Sequence, residues 1–223
     1  CDAVAGCDAL ARACIPLASL PRLGVGQGHA CVIEDDRSVR CWGANDGALV
    51  PSDPHSDLVT AVPLAGVSGA RQISVATGQA CALRDDGGVI CWGGNDSGET
   101  GVAPGEPRDP APVAMPGGLP ALEIGATHRC SCARLAGGSV ACWGQEGTGC
   151  FGTGPKPDKV TFTPTLVPGV NDAVQLRVSA YDTPTCVRRA SGKVLCWGSN
   201  TAPKEIAGVD DATDLTLGRA TVF

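Results

Sequence analysis

Large aromatic side chains are scarce in this chain. Its 223 residues hold four tryptophans, three phenylalanines, one tyrosine and a single methionine. So thin a supply argues against long helices packed through bulky side chains. With 31 glycines and 17 prolines, the composition points instead to short strands and many turns. Positive charge is also short: lysine and arginine total 17 against 23 acids, a net charge of -6 and a pI near 5.0. Phosphate binding wants a basic patch, and no run of like charge supplies one, so nucleic acid is not an expected partner. No apolar stretch reaches the roughly 18 residues of a membrane span. The C-x2-C pairs and spaced histidines of a zinc site are missing too. The closest cysteines are Cys130 and Cys132, and His29, His55 and His128 are scattered. Neither a Gly-x-Ser-x-Gly elbow nor a phosphate-binding glycine loop occurs.

Cysteine, by contrast, is abundant at 13 residues. A reducing cytosol rarely keeps so many thiols that bind no metal, so the count predicts disulfides and an oxidising compartment. The cysteines are also ordered. Cys-Trp-Gly begins at Cys41, Cys91, Cys142 and Cys196, at intervals of 50, 51 and 54 residues, and takes up all four tryptophans. Each has a partner ten residues upstream: Cys31, Cys81, Cys132 and Cys186. The chain is therefore a tandem repeat.

Between each pair the sequence reads as a β-hairpin. In CALRDDGGVICW, setting Cys81 opposite Cys91 puts Arg84 opposite Gly88 and leaves a three-residue loop ending at Gly87. That slot takes a left-handed backbone, which glycine adopts freely. Gly138 and Gly192 fall in the same slot, and Arg37 takes it in the first repeat. Opposed cysteines in such a ladder are within disulfide reach. Closing each ten-residue loop is worth about 2.5–3 kcal/mol in the chain-entropy view. A short apolar strand precedes each hairpin, and a proline-marked extended segment follows it. Four-stranded units in tandem are propeller blades, with the last strand at an edge where proline is tolerated.

The segments GQGHAC (26–31), CALRDDGGVICWGGNDSGETG (81–101) and GATHRC (125–130) resemble the repeat of the regulator of chromosome condensation family, in a secreted bacterial variety rich in disulfides. The resemblance covers roughly residues 15–223 and implies an all-β propeller, usually of seven blades. On this reading residues 1–14 form a cysteine-bearing segment. Blades span about 21–66, 70–116, 121–169 and 174–208, with a partial blade at 214–223. The chain is then either part of a larger propeller or a five-bladed ring closed by shared terminal strands. The motif histidine is present as His29 and His128 and replaced by Gln79 and Pro184.

Five cysteines remain after the hairpins are paired. Cys130 and Cys150 bracket the third hairpin and are expected to bond, as are Cys7 and Cys14. Cys1 is left over, either as a lipid-modified residue, the sole membrane link expected, or as a partner of Cys7 or Cys14.

Candidate chemistry is sparse. Glu34–Asp36 and Asp85–Asp86 sit in hairpin loops, where aspartate bonds its own backbone, so neither metal nor cofactor is expected. Asn95–Glu99 lacks the spaced acidic ligands of a calcium loop. His29 and His128, like Trp42, Trp92, Trp143 and Trp197, recur at repeat positions and are assigned to blade packing rather than to catalysis or sugar binding. The variable parts are the segments 44–58, 94–110 and 144–160 after Cys-Trp-Gly. Repeat proteins place such insertions on one face, often the binding face. Glu99, Arg108, Phe151 and Lys156 are the candidate contact residues there. The family includes nucleotide-exchange factors, chromatin binders, light sensors and a secreted enzyme inhibitor. The disulfides disfavour the first and the acidic charge the second. The expectation is a non-enzymatic protein-binding module that is secreted, periplasmic or at the cell surface, probed through those loops. The alternative is a structural subunit joined to neighbouring subunits through open blade edges.

Overall fold

The computed structural model describes residues 20–45, 49–50, 57–105, 109–154, 159–179, 184–198 and 201–217, together with the backbone of 7–8 and 13–14. Near the start, β1 (Cys7–Asp8) pairs antiparallel with β2 (Ala13–Cys14), with Cys7 opposite Cys14. Their side chains lie outside the described residues, as does all of Cys1.

Four antiparallel sheets of four strands follow. The first blade is β3 (Leu23–Val25), β4 (His29–Ile33), β5 (Val39–Gly43) and β6 (Leu58–Pro63). The second is β7 (Ala70–Val75), β8 (Gln79–Arg84), β9 (Val89–Gly93) and β10 (Ala111–Val113). The third is β11 (Ala121–Ala126), β12 (Cys130–Leu135), β13 (Val140–Gln145) and β14 (Val160–Leu166). The fourth is β15 (Ala173–Val178), β16 (Thr185–Arg189), β17 (Val194–Gly198) and β18 (Thr201–Glu205). Strand order within each sheet follows the chain, so each blade is a meander. The proline-bearing fourth strands are edges, where a missing N–H breaks no ladder. The chain is an all-β propeller built of four-stranded blades.

The hairpin registers follow from the turns. Cys31 lies opposite Cys41, Cys81 opposite Cys91, Cys132 opposite Cys142 and Cys186 opposite Cys196. All four pairs are disulfides with Cα atoms 4.1 Å apart. The fifth disulfide, Cys130–Cys150, spans 6.8 Å between Cα atoms. The loop slot is left-handed at Arg37, Gly87, Gly138 and Gly192, with φ of 68°, 81°, 82° and 85°. Its carbonyl also links blades: Arg37, Gly87 and Gly138 accept the N–H of Ala70, Ala121 and Ala173, where the next blade begins.

The core lies between blades. In each of three clusters the hairpin disulfide and a valine of one blade meet the first strand and tryptophan of the next. Trp92, Trp143 and Trp197 are fully buried, whereas Trp42 is only partly buried. Buried polar side chains join the same boundaries. Gln72 bonds both the N–H and the carbonyl of Ile124, at 3.0 and 2.9 Å. One repeat on, Glu123 accepts from Leu176 N–H at 2.8 Å, Arg134 Nε at 2.9 Å and Arg177 Nη1 at 2.9 Å. None of the described helices is long and apolar enough to cross a membrane.

Candidate protein-binding loops

The loop after each Cys-Trp-Gly starts from a forced turn. Gly43, Gly93 and Gly144 have φ of 103°, 94° and 119°. A Cβ there would stand 2.3–2.5 Å from the carbonyl oxygen of Gly28, Gly78 or Arg129. Only glycine fits such a position. The ladder to the fourth strand slips at the same place, between Cys41 and Gly43 and between Cys142 and Gly144, so the chain leaves the sheet here.

Three residues after the tryptophan, an asparagine locks the loop in the first two blades. Asn45 Oδ1 accepts from Val50 N–H at 2.8 Å, and its amide donates to the Val50 carbonyl at 3.2 Å. Asn95 Oδ1 accepts from Thr100 N–H at 3.2 Å, and its amide donates to the Ala103 carbonyl at 2.9 Å. The third blade has Glu146 at that position, opening a 3-10 turn over Glu146–Thr148. There the Cys130–Cys150 disulfide holds the loop instead.

Both devices hold the stretch seven and eight residues after the tryptophan: the asparagines bond Val50 and Thr100, and the disulfide holds Cys150. In the second and third blades the carbonyl of the residue seven after the tryptophan receives the indole of the following blade. Trp143 Nε1 donates to Glu99 O at 2.9 Å, and Trp197 Nε1 donates to Cys150 O at 2.7 Å. Leu49, the equivalent residue of the first blade, is buried in the cluster that contains Trp92.

This geometry corrects two of the expected contact residues. Glu99 is 6% exposed and Phe151 is 3% exposed, so neither belongs to an outward face. The loop root is drawn inward to meet the next blade, and its side chains go with it. The Glu99 carboxylate accepts from Ser97 N–H at 2.7 Å. Burial pushes its pKa up to about 7, and Asp96 adds to the rise; hydrogen bonds from the backbone and nearby Arg129 oppose it. Arg108 and Lys156 lie outside the described residues. Among the described residues of these loops, Asp57, Asp96, Pro104, Gly105, Asp109, Lys159 and Val160 face outward.

A second correction concerns the motif histidine. His29 lies opposite Gly43 and Gln79 opposite Gly93, but the residue opposite Gly144 is Cys130. His128 therefore sits two residues outside the position that His29 holds: it is spaced from Cys130 as His29 is from Cys31, whereas the cysteine that matches Cys31 is Cys132, in a hairpin of the same length. Cys130 fills the slot and spends it on the disulfide. Gln79 uses it to reach the next blade, donating to Thr127 O at 2.8 Å. His29 is buried and His128 half-buried.

The sulfurs of Cys130, Cys132 and Cys150 lie within 4.8 Å of one another, but all three are in disulfides and carry no thiolate to bind a metal. The hairpin acids make turn bonds. Asp36 Oδ1 accepts from Ser38 N–H at 2.9 Å and Ser38 Oγ at 2.6 Å, which lowers its pKa, and Asp86 Oδ1 accepts from Gly88 N–H at 2.9 Å. Asn45, Asn95, Gln72 and Glu123 did not stand out in the sequence by type. Their signal was positional: one asparagine after Cys-Trp-Gly, and one polar residue amid each apolar first strand.

No protein-family model and no curated protein matches the sequence. Solved structures do resemble the fold. Prp20p of Saccharomyces cerevisiae, described with its binding to Gsp1p and histones, aligns at TM-score 0.69 and 18% identity, over 83% of this chain and 50% of its own. Human WBSCR16 aligns at 0.69 and 20% identity, over 82% and 51%. The ectodomain of the Arabidopsis thaliana receptor kinase ACR4 aligns at 0.50 and 16% identity, over 80% and 56%. The architecture is thus a propeller like that of the regulator of chromosome condensation proteins. The chain spans about half the length of these structures.

Proposed function

We propose that this chain is a non-enzymatic protein-binding module that works outside the cytosol and recognises its partner through the loops after Cys-Trp-Gly. The observation that carries the reading is the locking of those loops. Asn45, Asn95 and the Cys130–Cys150 disulfide hold the same short stretch of the loop by different means, and the chain beyond it varies. Loops anchored to a rigid frame lose little freedom on binding. Five disulfides among the described residues suit an oxidising setting, secreted, periplasmic or on a bacterial surface. Prp20p, which binds protein partners on a similar fold, lends support by analogy.

The first two loops are acidic. Asp46, Asp53 and Asp57 lie in one, and Asp96, Glu106 and Asp109 in the other with Arg108 as its sole base. The partner surface is accordingly basic. Replacing the exposed Asp57, Asp96 and Asp109 together by lysine is the test. Partner capture should be lost while the melting temperature holds; capture that survives the charge reversal removes these loops from the recognition surface.

A specific observation favours the second reading, a subunit joined through blade edges. Leu23 and Val25 are 53% and 65% exposed, whereas Ile73, Ile124 and Leu176, which match Leu23 in register, are 2–4% exposed. A concentration-dependent rise in solution mass, abolished by Leu23→Asp, would establish it; a constant monomer would exclude it.

A further inference from the structure

In the first three blades the residue seven after the tryptophan turns inward, and each blade sends a different side chain there: Leu49, Glu99 and Cys150. All three are buried, at 1%, 6% and 0% exposure. Leu49 is apolar and Cys150 is tied to Cys130, so neither responds to pH. Glu99 alone carries an ionisable group into that position.

Its surroundings serve a charge poorly. The carboxylate Oε2 accepts from Ser97 N–H at 2.7 Å. Two charged groups face it. Asp96, on the same loop, repels a carboxylate; Arg129, on the turn before β12, attracts one, but its guanidinium also donates to Gln145 Oε1 at 3.1 Å. The other neighbours of this stretch do not titrate: Ser131 of β12, Trp143 of β13, Val160 and Phe162 of β14 beside Gly98, and Val113 of β10 beside Gly101. Burial therefore prevails, and the group keeps its proton up to about pH 7.

The segment is also built to move as a piece. Glu99 and Thr100 lie between Gly98 and Gly101, both left-handed, with φ of 71° and 84°. Small residues at the ends of a segment commonly absorb such a motion. Glu99 O ties the segment to the third blade, accepting from Trp143 Nε1 and Ser131 Oγ, each at 2.9 Å.

We propose that Glu99 makes the root of the blade-two loop a pH-gated latch, docked on the third blade while the carboxyl is neutral and swung outward about Gly98 and Gly101 when it ionises. Release gives up the two bonds to Glu99 O and returns the carboxylate to water, beside the exposed Asp96. The sign follows from linkage. The docked group holds its proton up to about 7 and the released one only to its ordinary 4.5, so docking is favoured in acid. The released fraction grows about tenfold per pH unit between those values and levels off above them. The consequence for recognition rests on reading these loops as the binding surface; the latch itself does not.

Solvent exchange of the indole N–H groups, followed by NMR in the full 223-residue chain and corrected for the intrinsic rate, tests the latch without any partner. Protection of the Trp143 indole should fall about tenfold per unit between about pH 5 and 6.5. The Trp197 indole, bonded to Cys150 O at 2.7 Å, is the internal reference and should hold its protection. Glu99→Gln should make Trp143 as insensitive to pH as Trp197. Two substitutions at exposed residues give a check that leaves the buried site intact. Asp96→Asn should bring the levelling-off to lower pH, and Arg129→Gln should move it higher. A flat Trp143 profile would overturn the latch, and so would equal pH dependence at Trp143 and Trp197, since the whole fold would then be opening. Either result leaves the binding surface standing, which falls only if partner capture survives the reversal of Asp57, Asp96 and Asp109.

Discussion

Trp143 donates its indole N–H to the backbone carbonyl of Glu99, 2.9 Å away and one blade earlier, so a single residue fixes the blade boundary with its main chain and buries a carboxyl with its side chain.

Stability should therefore depend on pH through Glu99. Its pKa rises from 4.5 to about 7 on folding, so between those values the folded state holds a proton that the unfolded state has released. The contribution of Glu99 is fully present below the unfolded value and is lost as pH climbs to about 7. The loss is on the order of 3 kcal/mol. Glu99→Gln, which carries no charge, should flatten the urea midpoint between pH 4.5 and 8. A parallel slope in both proteins would show that Glu99 is not the group.

The buried carboxylate of Glu123 joins the third and fourth blades through Leu176 N–H, Arg134 and Arg177. Arg134 has no exposed side-chain surface, so Glu123→Ala removes a carboxylate partner from a buried cation. The cost should be about 3–5 kcal/mol in chemical denaturation. Glu123→Gln keeps an acceptor for Leu176 and should cost less.

The tryptophans should differ by blade. Trp92 has 0% exposure, and Trp92→Ala should cost about 3–5 kcal/mol. Trp42 is only partly buried, so Trp42→Ala should cost clearly less, as thermal melting can decide. Equal losses would mean that the first blade is packed like the others.

Loop locking is testable residue by residue. Asn95→Ala removes the acceptor of Thr100 N–H and a donor to Ala103, at about 1–2 kcal/mol in all. Hydrogen exchange at Thr100 should speed up while the Cys81–Cys91 hairpin keeps its protection. In the third blade, Cys150→Ser paired with Cys130→Ser should loosen the loop and, through the Cys150 carbonyl, the seat of Trp197. Unchanged exchange around Trp197 would show that the disulfide does not hold that boundary.

Much of the architecture was determined within stretches of ten residues. The spacing of Cys81 and Cys91 sets the hairpin register, and the turn residues between them select the left-handed slot at Gly87; Arg37 takes the same conformation without glycine's freedom. Turn chemistry and strand pairing act between near neighbours, so a single sequence carries them. His128 precedes Cys130 with the spacing by which His29 precedes Cys31, but the matching cysteine of the third hairpin is Cys132, and only the pairing with Gly144 shows Cys130 in the slot. Glu99 and Phe151 looked like exposed loop residues by type and place. Their burial was decided by tertiary structure: the indole of Trp143 lies 44 residues from Glu99, and it draws that loop root inward where local propensity has no say. Repeat periodicity names the elements, but which surfaces they cover depends on contacts between blades, and those form only when the chain is folded.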